Sequence, residues 1–170
     1  MKLSLSNRLY RVTWNAAWWL FFQTSPNVFF VWRVALLKLF GADLKWTSRI
    51  YPKTKIWQPN NLKLGSHACL ANNVNVYNVA YVEIGDKTVI SQGSELITAT
   101  KSFSDGDRNL KAYEIIIGEN CWIASGVFIA PGVVVGDSSV VLAKVNLLEN
   151  VPDNKIVKPL KNYSVEERIQ

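Results

Sequence analysis

The chain has 170 residues, 49% of them hydrophobic, so it is long enough for one core and too apolar for a disordered chain. Its net charge of +6 favours anionic partners such as phosphorylated ligands or lipid headgroups. The sequence has no dense run of Lys and Arg and no nucleic-acid-binding motif, which argues against a nucleic-acid partner.

The first 45 residues form an aromatic segment that we expect to be a helical cap. Two apolar runs, residues 14–22 and 28–40, are separated by polar residues and Pro26. Neither run reaches the roughly 20 apolar residues that span a membrane, and no signal-peptide cleavage site follows them. The runs predict two short helices packed on the rest of the protein. A second interpretation places their Trp and Phe side chains at a membrane surface.

Residues 46–157 carry a six-residue period, which we interpret as a mainly β, parallel β-helix. Five consecutive hexads start at Ile117: IGENCW, IASGVF, IAPGVV, VGDSSV and VLAKVN. This period is neither the 3.6 of a helix nor the 2 of a flat strand. The first residue of each hexad is predicted to point into a triangular interior and to stack on its equivalent eighteen residues later. The small second residue is expected to adopt an unusual backbone angle at each corner.

The period continues upstream with interruptions. The spacing is eight rather than six between Ile56 and Leu64 and between Val76 and Ile84, which indicates two extra residues at a corner. The polar segment at about 101–113 predicts a loop that leaves the prism and returns near Ile115. Residues 158–170 are expected to form a tail or a short helix, because SVEER at 164–168 has the spacing of a capping box.

The two cysteines, Cys69 and Cys121, sit apart within the repeats. Lone cysteines in a repeat core are more often buried thiols than a disulfide, so we expect a reducing, cytoplasmic compartment. A peripheral position at the inner membrane stays open because of the aromatic first segment. The single histidine argues against a zinc site that needs three histidines, and the sequence shows no other spacing for a metal.

Four segments carry a resemblance to a known family: LYRVTW (9–14), FGADL (40–44), YNVAYVEIGDKTVISQGSEL (77–96) and IIIGENCWIASGVFIAPGVVVGDSSVV (115–141). The chain resembles hexapeptide-repeat acyltransferases, and within them the WcaF-like branch of colanic-acid-biosynthesis acetyltransferases. The resemblance implies a left-handed parallel β-helix, a homotrimer, and acetyl-CoA as co-substrate in a groove between neighbouring prisms. It further implies O-acetylation of a sugar of a cell-surface polysaccharide or its lipid-linked precursor, with a histidine as general base.

The resemblance also places the candidate site residues. The family's histidine position falls on Lys101 in TATK (98–101), and His67 is the only histidine that could replace it. A lysine acts as a base only where burial or a neighbouring cation lowers its pKa. The candidate cofactor-binding residues, at places where the family's coils line the cofactor, are Trp122, Ala124, Ser125, Gly126, Ala130 and Gly132, with Lys158 near the exit of the repeats.

Two other interpretations remain beside the acetyltransferase. The loss of the family's histidine favours a catalytically inactive homologue with a structural or assembly role. The family's turn after the repeats is also altered here, since residues 155–162 read KIVKPLKN. The aromatic first segment favours, more weakly, a membrane-surface binding module.

Overall fold

The computed structural model describes residues 5–101 and 110–159, with side chains from residue 7 onward. Two helices open the chain. Helix α1 (Leu5–Ala17) runs on into one π-helical turn (Trp18–Phe22), and α2 (Phe30–Leu39) follows. The prediction of two short helices is confirmed, although the first begins before the aromatic run. The proposed terminal helix at 164–168 lies outside the described residues.

Short parallel strands then build three sheets, which are the faces of a prism. Face A contains β1 (Asp43–Leu44), β4 (Leu62–Leu64), β7 (Val82–Ile84), β12 (Ile115–Ile117) and β15 (Val134–Val135). Face B contains β2 (Arg49–Ile50), β5 (Cys69–Leu70), β8 (Val89–Ile90), β13 (Trp122–Ile123), β16 (Val140–Val141) and β18 (Ile156–Val157). Face C contains β3 (Lys55–Ile56), β6 (Asn75–Tyr77), β9 (Glu95–Ile97), β14 (Phe128–Ile129) and β17 (Asn146–Leu147).

The core is a column of aliphatic side chains inside the prism, as the hexads predicted. Ile117, Ile123 and Ile129 are buried, one on each face. Each pairs with the residue eighteen positions later, which is Val135, Val141 and Leu147 respectively. Burying one such side chain contributes about 1.5–3 kcal/mol, so every layer of the stack adds to the stability of the coils. The fold is therefore the predicted parallel β-helix.

The expectation about the corners is wrong in one respect. The left-handed backbone angle falls on the fourth hexad residue, not on the second. Examples are His67 (φ 58°), Asn120 (φ 53°) and Gly126 (φ 66°). Each corner is a tight turn whose third residue needs φ above zero, and Gly and Asn tolerate that conformation best.

The second hexad residue is small for a different reason, which is lack of space. A Cβ on Gly118 would lie 2.9 Å from the backbone nitrogen of Asp137 in the next coil, and closer still to its carboxylate. That carboxylate accepts a hydrogen bond from the Glu119 N–H at 2.7 Å. Asp86 accepts in the same way from Ser66, at 2.7 Å. Glycine therefore lets successive corners of faces A and B lie in contact.

The helices close the first coil. The Trp14 indole donates to the Ile56 carbonyl at 2.7 Å, and the Trp18 indole donates to the Thr54 carbonyl at 2.8 Å. The buried Arg33 guanidinium donates to the carbonyls of Ile50, Pro26 and Asn27. Burial lowers the pKa of the Arg33 guanidinium below its usual value. This capping covers the end of the prism that would otherwise expose core side chains.

Within the described ranges, neither helix is long and apolar enough to cross a membrane.

Candidate active site

All three insertions into the coils fall at one corner of the prism, between faces C and A. The first holds a 3₁₀ turn (Pro59–Asn61), the second is residues 78–81, and the third is the excursion after Ile97. The eight-residue spacings of the sequence thus do mark extra residues at a corner. Because the insertions stack on one another, this corner is broader than the other two.

Buried polar side chains connect the stacked insertions. The Asn78 amide accepts from the Gln58 N–H at 2.9 Å and donates to the carbonyls of Gln58 and Asn61. One coil further on, the buried Thr98 hydroxyl donates to the Tyr77 carbonyl at 2.9 Å. A buried amide with its donors and acceptors satisfied fixes a single arrangement of the backbone. The network therefore holds rigid the base of the excursion that follows Thr98.

The arms of the excursion are strands, where the sequence predicted a loop. Strand β10 (Ala99–Lys101) pairs with β11 (Leu110–Ala112) in antiparallel fashion, with Lys101 opposite Leu110. Residues 102–109 lie outside the described part. Lys101 is exposed at the end of β10. β10 and β11 form a two-stranded sheet of their own, separate from the three faces, with Lys101 as the last residue of β10.

His67 lies elsewhere, so the structure does not bring the two candidate bases together. It is the third residue of the turn between β4 and β5, at the corner of faces A and B, and its side chain is exposed. Its backbone N–H donates a hydrogen bond to the Thr47 hydroxyl oxygen at 3.2 Å. The residues at the same place in later coils are Lys87 and Asn120. All three occupy the fourth hexad place, where the turn needs a positive φ, so His67 has a structural role in its corner.

An open groove runs along face C through the upper coils, with a volume of about 520 Å³. Its walls include Glu95 and Phe128 on adjacent strands, with Lys144 and Asn146 above them. Gly126 lies in its floor, and the Lys144 side chain packs against it, since a Cβ there would be 2.8 Å from Nζ. The groove therefore offers an apolar wall, the Asn146 amide, the Glu95 carboxylate and the Lys144 cation beside the exposed backbone of Gly126.

The seven predicted cofactor residues do not all reach this groove. Gly126 lines it, and Ser125 is its neighbour on the corner of faces B and C. Ala124 is buried in that corner. The other four lie apart: Ala130 and Gly132 on the broad corner, Trp122 on face B, and Lys158 exposed just after β18. They remain predictions as cofactor contacts.

Sequence reasoning missed Phe128, Lys144 and Asn146. Phe128 and Asn146 are the sixth residues of their hexads, and the sixth residue stands next to the buried first residue on the strand. Since neighbouring strand residues point to opposite sides, every sixth residue faces outward. The hexad register therefore predicts that these two residues face outward, but it does not predict where on the surface the groove lies.

A second cavity, of about 400 Å³, lies at the foot of face C against α1. Trp57 and Tyr77 form one wall, with ring centroids 4.8 Å apart, and the Arg11 guanidinium stacks on Trp57 at 3.5 Å. Asn15 and Asn75 provide amide groups. Asn75 pairs with Glu95 of the groove above, so the two depressions adjoin on one face. Aromatic faces beside amides are a suitable lining for a saccharide.

The thiols are poor candidates for nucleophiles. Both cysteines are free, with Cys121 buried and Cys69 half-buried. Burial raises the pKa of each above its usual 9.0, and a thiol rather than a thiolate is weakly nucleophilic. Among the described residues, no group of His, Cys, Asp and Glu is placed to hold a metal ion.

No family model matches the chain. Individual proteins that resemble it do agree with this architecture. It is 37% identical over 157 residues to the protein named colanic acid biosynthesis acetyltransferase WcaF in Escherichia coli K12, covering 90% of this chain and 86% of that one. The galactoside O-acetyltransferase of the same organism is 28% identical over 127 residues, covering 73% of this chain and 63% of that one.

Among solved structures, a hexapeptide-repeat acetyltransferase from Vibrio cholerae O1 biovar eltor, complexed with acetyl coenzyme A, aligns with a TM-score of 0.81. The alignment covers 90% of this chain and 84% of that chain at 25% identity. Sequence likeness and fold thus agree over nearly the whole chain.

Proposed function

The chain belongs to the family of the colanic acid biosynthesis acetyltransferase WcaF, and from that membership we propose that it is an acetyl-CoA-dependent O-acetyltransferase. Its acceptor is a sugar of a cell-surface polysaccharide or of its precursor. The observation that carries the proposal is the likeness to WcaF at 37% identity over 90% of the chain. The alternative of a catalytically inactive homologue is not favoured by the acetyltransferase relatives.

The face C groove supports acetyl-CoA as the donor. An extended, amide-bearing pantetheine arm suits an open groove whose floor is backbone at Gly126 and whose wall holds the Phe128 ring. The Lys144 amine is a cation beside this floor, suited to a phosphate or carboxylate oxygen. The adjoining aromatic cavity, with Trp57 and Tyr77, supports a sugar as acceptor.

Bound acetyl-CoA supplies an activated thioester. The acceptor hydroxyl oxygen bonds to the carbonyl carbon, the carbon–sulfur bond breaks, and CoA leaves as thiolate, which takes up a proton. The hydroxyl proton passes to a base, for which we propose Lys101 because it occupies the family's histidine position. Its amine is exposed in the free chain, so this role requires the bound substrates to bury it. His67 is the less favoured candidate. Holding the two substrates side by side on a rigid face lowers the entropy cost of the reaction.

The test is acetyl-CoA turnover in the presence of a panel of sugars and oligosaccharides, measured as free CoA thiol. We expect release to depend on the acceptor. Three variants accompany the unmodified chain: Lys101→Ala, Lys101→His, and Lys53→Ala as a matched control, since Lys53 is also exposed but lies in the first coil. We expect Lys101→Ala to slow turnover, Lys101→His to preserve or raise it, and Lys53→Ala to leave it unchanged.

The outcomes separate the proposals. Turnover that is the same in Lys101→Ala and Lys53→Ala rejects Lys101 as the base and leaves the acetyltransferase standing. Turnover only in Lys101→His supports the inactive homologue instead. Absence of acetyl-CoA binding by calorimetry in every variant rejects the acetyltransferase itself.

We also propose a homotrimer, supported by the outward side of face B. Its upper strands present Val89, Trp122, Val140 and Ile156 one above another, with Val89, Trp122 and Ile156 exposed. A column of exposed apolar side chains is suited to contact with a neighbouring prism. Light scattering should give three times the chain mass, and Ile156→Lys should lower it. A monomer at all concentrations contradicts the trimer.

We place the enzyme in the cytoplasm, where acetyl-CoA is made.

A further inference from the structure

The π-helical turn and α2 present an apolar surface that nothing in the prism covers. Leu20, Phe21, Pro26, Phe29 and Trp32 line one open depression of about 370 Å³, and we call these residues the aromatic patch. Phe21 is 54% exposed and Phe29 is 52% exposed. Hydrogen bonds hold the patch in place: the Trp32 indole donates to the Phe21 carbonyl at 3.1 Å, and Arg33 joins the carbonyls of Pro26 and Asn27 to that of Ile50 in the first coil.

The apolar surface continues along α2 beyond the patch. Val31 and Leu39 share one side of the helix, and both are well exposed. The other side, which includes Val34 and Leu37, is buried against the prism. A helix on a protein surface normally turns a polar side to water. Here both sides of the helix are apolar, so the outer one is suited to an apolar partner.

The distribution of charge identifies that partner. Residues 1–42 contain five Lys and Arg and no Asp or Glu, and the first acidic residue is Asp43. These five account for most of the net charge of +6, so the positive charge is concentrated at this end of the chain. Arg33 is buried and adds to the field only, so contacts with an anionic surface fall to exposed residues such as Arg8. A second copy docked through the same patch would bring two such ends together, and like charges oppose that contact. An anionic lipid surface attracts the same segment.

We propose that the aromatic patch docks this protein onto an anionic lipid bilayer. Phe21, Phe29 and Trp32 enter the boundary between headgroups and acyl chains, and basic residues such as the exposed Arg8 meet the headgroups. The protein lies on the bilayer, since neither described helix is long and apolar enough to cross it. This surface is separate from the groove on face C, so the proposal goes beyond the acetyltransferase activity and its test needs no substrate.

The experiment is sedimentation of the full chain with vesicles of phosphatidylcholine alone or mixed with phosphatidylglycerol. We expect the bound fraction to rise with phosphatidylglycerol content. We expect it to fall when salt is raised from about 0.1 M to about 1 M, because the Debye length shrinks from about 10 Å to about 3 Å. Brominated lipids should quench part of the tryptophan fluorescence. No sedimentation with anionic vesicles at low salt overturns the proposal.

A matched pair of double variants tests the patch itself. Phe21→Ser/Phe29→Ser removes two exposed rings, and Ile116→Ser/Val134→Ser removes two side chains that are 39% and 38% exposed on face A. We expect the first to weaken partitioning by roughly tenfold or more and the second to leave it unchanged. Equal binding by the two variants overturns the proposal. So does a fall in light-scattering mass confined to the patch variant, because that result assigns the patch to a second copy.

Discussion

Substitution of Gly118 tests whether space or backbone conformation selects glycine at the second hexad place. A Cβ there meets Asp137 of the next coil, at 2.9 Å from its backbone nitrogen. Gly118→Ala therefore pushes the two coils apart and disturbs the bond from Glu119 N–H to the Asp137 carboxylate. Overpacking costs about 1–3 kcal/mol and the disturbed hydrogen bond about 1 kcal/mol. At about 2–4 °C per kcal/mol, we expect a clear drop in Tm.

Gly93 is the matched control position, because backbone conformation rather than lack of space favours glycine there. A Cβ there meets nothing within 4 Å, but its φ is +70°. Gly93→Ala should cost about 1–2 kcal/mol, and Gly93→Asn should recover most of that loss, since Asn tolerates this conformation. Gly118→Asn should be no better than Gly118→Ala. Thermal unfolding followed by circular dichroism measures all four variants. If Asn rescues stability at Gly118 as it does at Gly93, the steric reasoning is refuted.

Other predictions concern the core, the groove and the thiols. Ile123→Asp places a charge inside the prism and should abolish cooperative thermal unfolding; retained stability would contradict the register. Lys144→Ala should raise the KM for acetyl-CoA roughly fivefold or more while Lys53→Ala leaves it unchanged; equal KM values would remove Lys144 from the donor site. Because burial raises the pKa of Cys121, the free energy of unfolding should hold below pH 9.0 and fall above it, as the unfolded thiol ionises first. Urea titrations should show a shallower fall in Cys121→Ala, and an identical slope would contradict this reasoning.

The six-residue period made the β-helix predictable because each hexad repeats the same physical problem. A branched side chain must fill the interior at Ile117, and the same holds for Ile123 and Ile129. Repetition of that requirement is visible in any alignment of the chain with itself. The eight-residue spacings located the broad corner for the same reason, since they disturb the period without ending it.

The conformation of the corners was harder to predict, since glycine occurs at two places in the hexad for two reasons. Gly118 avoids a neighbouring coil, whereas Gly126 adopts a positive φ. Composition alone does not separate these two reasons for glycine. The hexads that have a residue other than glycine at the fourth place do separate them. Asn73 and Asn120 stand there with positive φ, and Asn is the residue other than glycine that adopts it most readily.

The site was only partly predictable, because it depends on which outward residues of separate coils lie side by side. Gly126 was recognised from its hexad, but its contact with Lys144 joins two coils and has no local signature. The aromatic cavity likewise joins α1 to the first coils through Trp57 and Tyr77. The buried residues set how successive coils pair, and this pairing decides which outward residues of different coils lie side by side.

The most direct test of the acetyltransferase is the chemical fate of the acetyl group. The full chain is incubated with acetyl-CoA carrying labelled acetyl and with oligosaccharide acceptors, and the products are separated and analysed by mass spectrometry. We predict an O-acetyl ester on the sugar, formed in equal amount to the free CoA thiol. Thiol release that proceeds at the same rate without acceptor, with the label recovered only as acetate, would contradict it.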